Sequence, residues 1–173
     1  MRRFNHNAIH EAGHVIAALS CELDVEAVLI KPTAKYAARC VFDPTKTAPK
    51  AVYVLKIAGM TAVQIHNEKY GRTDDDGFGR PDDPESDAYT VECLRLYWMA
   101  LGMTEDDVMA CENKLRNFVR RMLLHHWPTI EALAIDIAIQ KLSEETLTAK
   151  QIGKVVKTLD PTFYKRIEAH LLI

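Results

Sequence analysis

The sequence predicts a mainly α-helical, compact domain with a small β-hairpin or ribbon near its N-terminus. Apolar residues recur at helical spacing over most of the chain, and only two short β-branched runs between residues 25 and 42 interrupt this pattern. The 173 residues are 48% apolar and 27% charged, which is typical of a soluble globular protein with one core. Because no repeat or linker divides the chain, we expect a single domain over residues 1–173.

The N-terminal third contains the first helix and the β element. Residues 5–20 are rich in Ala, Ile and Leu without Pro, which favours a helix. Residues 25–31 form a short β-branched and apolar run that stops at a proline, and residues 38–42 form a second run that stops at Asp-Pro. Together these two runs predict a hairpin or two-stranded ribbon.

The rest of the chain predicts five more helices, with one long loop at residues 71–86. A loop of this length inside a domain is usually functional or disordered. Thr104 and Thr148 each precede a helical pattern and are predicted N-caps. The five helices are predicted at residues 49–69, 85–101, 104–126, 128–141 and from 148 onwards.

Charge and cysteine content exclude several classes of function. The net charge is −2 and no basic run is present, so we expect no nucleic-acid partner. The longest apolar runs are too short to span a bilayer, so we expect no membrane insertion by this chain. The four cysteines form no Cys-x-x-Cys pair, and no export signal precedes the first helix, which favours a cytoplasmic protein with reduced thiols.

The most informative motif is His10-Glu11-Ala12-Gly13-His14, which has the pattern His-Glu-x-x-His. Positions i and i+4 share one face of a helix, so the imidazoles of His10 and His14 can bind one metal ion, with Glu11 next to a water on that ion. The alternative is two partly exposed histidines on an amphipathic helix, with Glu11 solvated. Gly13 costs about 1 kcal/mol relative to Ala inside a helix, which is intelligible if another backbone or a substrate must pass close by.

A catalytic zinc site needs about three protein ligands and one open position. His6 is a poor third ligand, because eight residues of helix place it about 12 Å along the axis from His14. Asp87 is a candidate, although an acid in the first turn of a helix is also stabilised by the helix dipole alone. The residues alone leave the third ligand open among His66, Glu68, Asp74, Asp75, Asp76, Asp82, Asp83, Asp87, His125 and His126.

Taken in order, several segments resemble the peptidase domain of the FtsH family of zinc metalloproteases. Residues 10–14 match that family's His-Glu-Ala-Gly-His letter for letter, and the resemblance extends over about residues 5–156. In the family, an Asp that opens a helix is the third zinc ligand, and Asp87 lies at the matching place. The other similar segments are Val28-Leu29-Ile30-Lys31-Pro32, Ile57-Ala58-Gly59, Ser86-Asp87-Ala88 and Glu144-Glu145-Thr146-Leu147-Thr148.

The resemblance implies a zinc-dependent metalloendopeptidase with a zincin-like active-site helix. His10, His14 and Asp87 would hold zinc, Glu11 would act as general base, and polypeptides would be the substrate. The family's Arg and acidic pair after Ala-Gly are replaced here by Met60-Thr61-Ala62-Val63-Gln64, and no phosphate-binding Gly-x-x-x-x-Gly-Lys-Ser/Thr loop occurs. We therefore expect a stand-alone peptidase domain without the ATPase module, whose partners include a homo-oligomer or an ATPase on another chain.

Two other functions remain open on the sequence. The same metal-water chemistry would suit a metal-dependent hydrolase of non-peptide substrates. A non-catalytic metal-binding regulatory module would keep the helix and its metal, although a closed structural site has no use for Glu11 as a base.

Overall fold

The computed structural model describes residues 6–21, 23, 25–29, 39–42, 48–71, 82, 86–142 and 147–159. Within these ranges the chain forms six helices and three short strands, so the prediction of a mainly helical protein is confirmed. The helices are α1 (His6–Ser20), α2 (Pro49–Tyr70), α3 (Asp87–Ala100), α4 (Glu105–His125), α5 (Trp127–Leu142) and α6 (Ala149–Leu159). The strands are β1 (Val25–Leu29), β2 (Arg39–Phe42) and β3 (Leu147–Thr148).

Local capping explains why the helices begin where the sequence predicts. The Thr104 hydroxyl accepts a hydrogen bond from the Asp107 backbone N–H, and the Asp107 carboxylate accepts one from the Thr104 N–H, which forms a capping box before α4. The Thr148 hydroxyl accepts from the Gln151 N–H, while the Gln151 side chain accepts from the Thr148 N–H before α6. Both predicted N-caps are therefore present.

Helix α2 has a different pair of end signals. Pro49 occupies its first turn, where the missing N–H is not needed. Gly71 follows the last residue in the left-handed conformation, at φ 68°, and its N–H donates to the carbonyl of Asn67. These signals fix a 22-residue helix that is long enough to cross most of the domain.

The β element is a three-stranded antiparallel sheet with the order β2-β1-β3. β1 pairs with β2 along residues 25–29 and 39–42, and it pairs on its other side with β3, which the sequence did not predict. β3 has two residues, which is too short for an alternating pattern to be visible. The predicted strand ends at residues 30, 31 and 38, and the connection between the strands, lie outside the described residues.

Helix α1 is the centre of the core. It packs against α2 and α5 and also contacts β1 and β2, and most of its residues are buried. Gly13 allows the closest approach, because a Cβ atom there would lie 2.8 Å from both the Ala58 carbonyl oxygen and the Ala62 Cβ. The expectation that another backbone passes close to Gly13 is thus confirmed. The consequence is that the motif helix is held tightly against the middle of α2.

The described helices were also compared with the requirements of a bilayer. None of them is both long enough and apolar enough to cross a membrane.

Candidate metal centre

Three side chains from two helices converge beside the α1–α2 contact. His10 Nε2 lies 2.9 Å from His14 Nε2, and Asp87 Oδ2 lies 3.0 Å from each of these nitrogen atoms. In the part of the chain that the structure describes, this is the one group of three or more metal-type side chains whose ligand atoms are close enough for a single ion. The structure thus brings together three of the residues considered from the sequence.

Helix geometry places each of these side chains. His10 and His14 are one turn apart on α1, with their rings edge to face at 4.5 Å between centroids. Asp87 is the first residue of α3, and Ser86 caps that helix by accepting a hydrogen bond from the Tyr89 N–H at 3.1 Å. The cap fixes where α3 begins, and therefore fixes Asp87 opposite the two imidazoles.

The ring of His14 is oriented by the backbone of α2. Its Nδ1 lies 2.7 Å from the carbonyl oxygen of Leu55, which can only accept a hydrogen bond. The hydrogen of neutral His14 must therefore be on Nδ1, which leaves the lone pair on Nε2 facing His10 and Asp87. A hydrogen bond of this kind on the far side of the ring is typical of metal-ligating histidines.

Glu11 lies between the two histidines and is buried, with 7% of its surface exposed. Its Oε2 atom has no hydrogen-bond partner among the described residues. A buried carboxylate oxygen without a partner is costly, and such exceptions occur most often at functional sites. The unpaired oxygen thus fits a role in which Glu11 hydrogen-bonds a water molecule at the metal.

The distances and donor types were tested against zinc. Bonds of about 2.0–2.1 Å in a tetrahedral site place ligand atoms about 3.3 Å apart. The observed separations of 2.9–3.0 Å are shorter by a few tenths of an ångström, which small rotations of the side chains can supply. Two imidazoles and one carboxylate are also a known ligand set for catalytic zinc. The residues present therefore fit this ion.

Electrostatics favour a cation at this position. Burial alone would raise the pKa of Asp87, but the charge on His14, hydrogen bonds from both imidazoles and the nearby Lys56 hold the pKa of Asp87 well below its usual range. Burial also disfavours the charged form of His14, yet the carboxylates of Asp87 and Glu11 outweigh it and raise the pKa of His14. The site therefore has an ionised Asp87 and an environment that stabilises positive charge.

Sequence reasoning missed three contributions from one turn of α2. The Leu55 carbonyl orients His14, Lys56 Nζ lies 3.0 Å from Asp87 Oδ1, and Gly59 faces the ring of His10. The Ala-Gly pair at residues 58 and 59 was noted only as a family similarity. A small residue inside a helix was the available signal for Gly59, whereas nothing in the sequence distinguishes Leu55 or Lys56 from their neighbours.

Gly59 is expected to be required for metal binding more than for folding. A Cβ atom there would lie 2.6 Å from His10 Nε2, so the Gly59→Ala variant must displace that ring. Alanine also favours the helix by about 1 kcal/mol, which offsets part of the strain. We expect the zinc affinity, measured by competition with a chelator, to fall by about 10–100-fold, the usual range for groups that orient ligands.

The matched control for this prediction is Gly153→Ala in α6, where a Cβ atom would meet nothing within 4 Å. This variant should gain up to about 1 kcal/mol in the free energy of unfolding and bind zinc as the wild type does. Wild-type zinc affinity in Gly59→Ala would contradict the assigned role of Gly59.

The other sequence candidates lie elsewhere. His66 is buried in α2 with its ring edge-on to His6 at 5.8 Å, and Glu68 forms an exposed ion pair with Arg120. His125 and His126 stack on each other at the end of α4. Among the described residues none of these belongs to a metal-type cluster, and neither does the exposed Asp82. Asp74, Asp75, Asp76 and Asp83 lie outside the described residues.

Comparison with known proteins adds nothing to this picture: no protein-family model matches the chain, and no curated protein is significantly similar to it. The functional argument therefore depends on the geometry of the residues themselves.

Proposed function

We propose that this protein is a zinc-dependent metalloendopeptidase. The observation that carries the proposal is the convergence of His10, His14 and Asp87 within 3.0 Å of one another, with the buried carboxylate of Glu11 beside them. Three protein ligands and a neighbouring acid are the arrangement of a catalytic zinc site, whereas a structural site has four protein ligands. The zincin-like helix and the resemblance to FtsH-family peptidases are consistent with this proposal.

In this proposal each residue has a separate task. His10 Nε2, His14 Nε2 and Asp87 Oδ2 hold the ion, and the Leu55 carbonyl keeps His14 in the tautomer that can bind it. Zinc, when bound, supplies a Lewis acid that lowers the pKa of its water from 15.7 towards about 7. Glu11 accepts the proton of that water at Oε2 and then returns it to the nitrogen of the leaving amine.

The small sheet favours polypeptides over other substrates of the same chemistry. β2 is at the end of the strand order β2-β1-β3, and both β1 and β2 contact the motif helix. A strand at the edge of a sheet can pair with an extended peptide through main-chain hydrogen bonds, with little dependence on side chains. This would place a peptide bond close to the metal centre, and it requires no new pocket.

The test is a comparison of substrates on protein loaded with one zinc per chain. We expect cleavage of an unfolded polypeptide, loss of cleavage when a chelator removes the metal, and recovery when zinc is added back. The unfolded substrate removes the need for an unfolding ATPase, which we propose would be on another chain. Hydrolysis of small esters without cleavage of polypeptide would favour a non-peptide hydrolase. Metal binding with no hydrolysis at all would favour a non-catalytic regulatory module.

A further inference from the structure

One turn of α2 contacts all three candidate ligands. The carbonyl of Leu55 binds His14, the ammonium of Lys56 binds Asp87, and Gly59 faces the ring of His10. Two of these contacts have a plain purpose, since one fixes a tautomer and the other makes room for a ring. The contact with Lys56 is different, because it brings a positive charge next to a residue that is proposed to bind a cation.

The two oxygen atoms of Asp87 have different partners. Oδ2 faces the Nε2 atoms of His10 and His14 at 3.0 Å, while Oδ1 lies 3.0 Å from Lys56 Nζ. The Asp87 side chain is 11% exposed and that of Lys56 is 26% exposed, so the ion pair is largely shielded from solvent. A charge-assisted hydrogen bond in such a setting is stronger than the same pair on the surface.

This division matters because a carboxylate can bind a metal through one oxygen or through both. An Asp87 that used both oxygens would occupy one more position at the ion. A catalytic zinc must keep a position for water and substrate, so the number of Asp87 oxygens at the metal has a direct effect on the reaction. Lys56 holds the second oxygen on the side away from the imidazoles.

We propose that Lys56 is a positioning residue that restricts Asp87 to binding the metal through Oδ2 alone. The inference rests on the proposed metal site. Its support is that Lys56 is on a well-packed helix that also orients the other two ligands, so its ammonium is held at Oδ1 before any metal arrives. Lys56 is not a ligand and does not contact the substrate.

The test uses Co²⁺ in place of zinc, because the visible absorption of cobalt is strong in four-coordinate sites and much weaker in five- or six-coordinate sites. The Lys56→Met variant keeps the length of the apolar stem and loses the charge. We expect its cobalt absorption to fall severalfold relative to the wild type, and its rate of polypeptide cleavage to fall by about 10–100-fold. Lys56→Arg keeps a charged donor and should restore the four-coordinate spectrum.

Lys50→Met is the matched control, since Lys50 is exposed in the first turn of the same helix. It should give the wild-type spectrum and rate. If Lys56→Met does not fold, Lys56→Gln, which keeps a neutral donor, replaces it and is expected to show a partial loss of absorption. An unchanged spectrum in the folded, neutral variant would overturn the role of Lys56 while leaving the peptidase proposal intact. A wild-type protein that binds no cobalt would instead refute the metal site itself.

Discussion

The Glu11→Gln variant is expected to retain bound metal and to lose nearly all peptide cleavage. Glutamine has the same shape, so the packing of this buried side chain on α1 should be preserved. Its amide cannot take up the proton of the attacking water, and general-base catalysis typically contributes about 10²–10⁴-fold to the rate. The measurement is kcat for an unfolded polypeptide, together with the zinc content per chain.

The control for this variant is Glu105→Gln, an exposed residue in the first turn of α4. It changes the same functional group outside the candidate centre and should leave both kcat and zinc content unchanged. If Glu11→Gln cleaved the polypeptide as fast as the wild type, the base would have to be another group and the role of Glu11 would be wrong.

The Asp87→Ala variant is expected to lose zinc. Removing the carboxylate leaves two neutral imidazoles, and it removes the negative charge that favours a cation at the site. The fall in affinity should exceed the roughly 10–100-fold that is usual when only an outer-shell partner is changed. Elemental analysis of the purified variant beside the wild type measures this effect directly, and cleavage should be lost with the metal.

Asp87 is also an acid in the first turn of a helix, which alone stabilises α3 by about 0.3–1 kcal/mol. Asp106→Ala controls for that contribution, because Asp106 has the same chemistry in the first turn of α4 and is exposed. Both variants should lose a similar amount of unfolding free energy to the dipole effect, but only Asp87→Ala should lose zinc. Full zinc occupancy in Asp87→Ala would remove it from the ligand set.

The helices could be predicted because their signals are local. Apolar spacing, the capping residues Thr104 and Thr148 and the glycine after α2 each act within a few residues of the boundary they set. The pairing of His10 with His14 is local too, since it follows from one turn of helix. β3 was missed because two residues carry no period, and its pairing with β1 is a contact between distant parts of the chain.

The remainder of the site could not be derived from local patterns. Asp87 is 77 residues from His10 in sequence, and its position at the start of a helix has a sufficient explanation without metal. Physical reasoning alone therefore left it among many acids and histidines, and the packing of α3 against α2 decided the matter. Lys56 and Gly59 act only through tertiary contacts with Asp87 and His10, which no periodicity records.

The central claim is that His10, His14 and Asp87 close around one metal ion beside Glu11. X-ray diffraction from crystals of the zinc-loaded protein, recorded on both sides of the zinc absorption edge, tests it most directly. We expect one anomalous peak per chain, about 2.0–2.1 Å from His10 Nε2, His14 Nε2 and Asp87 Oδ2. A map without a peak there, or with Asp87 turned away from an ion bound elsewhere, would contradict the claim.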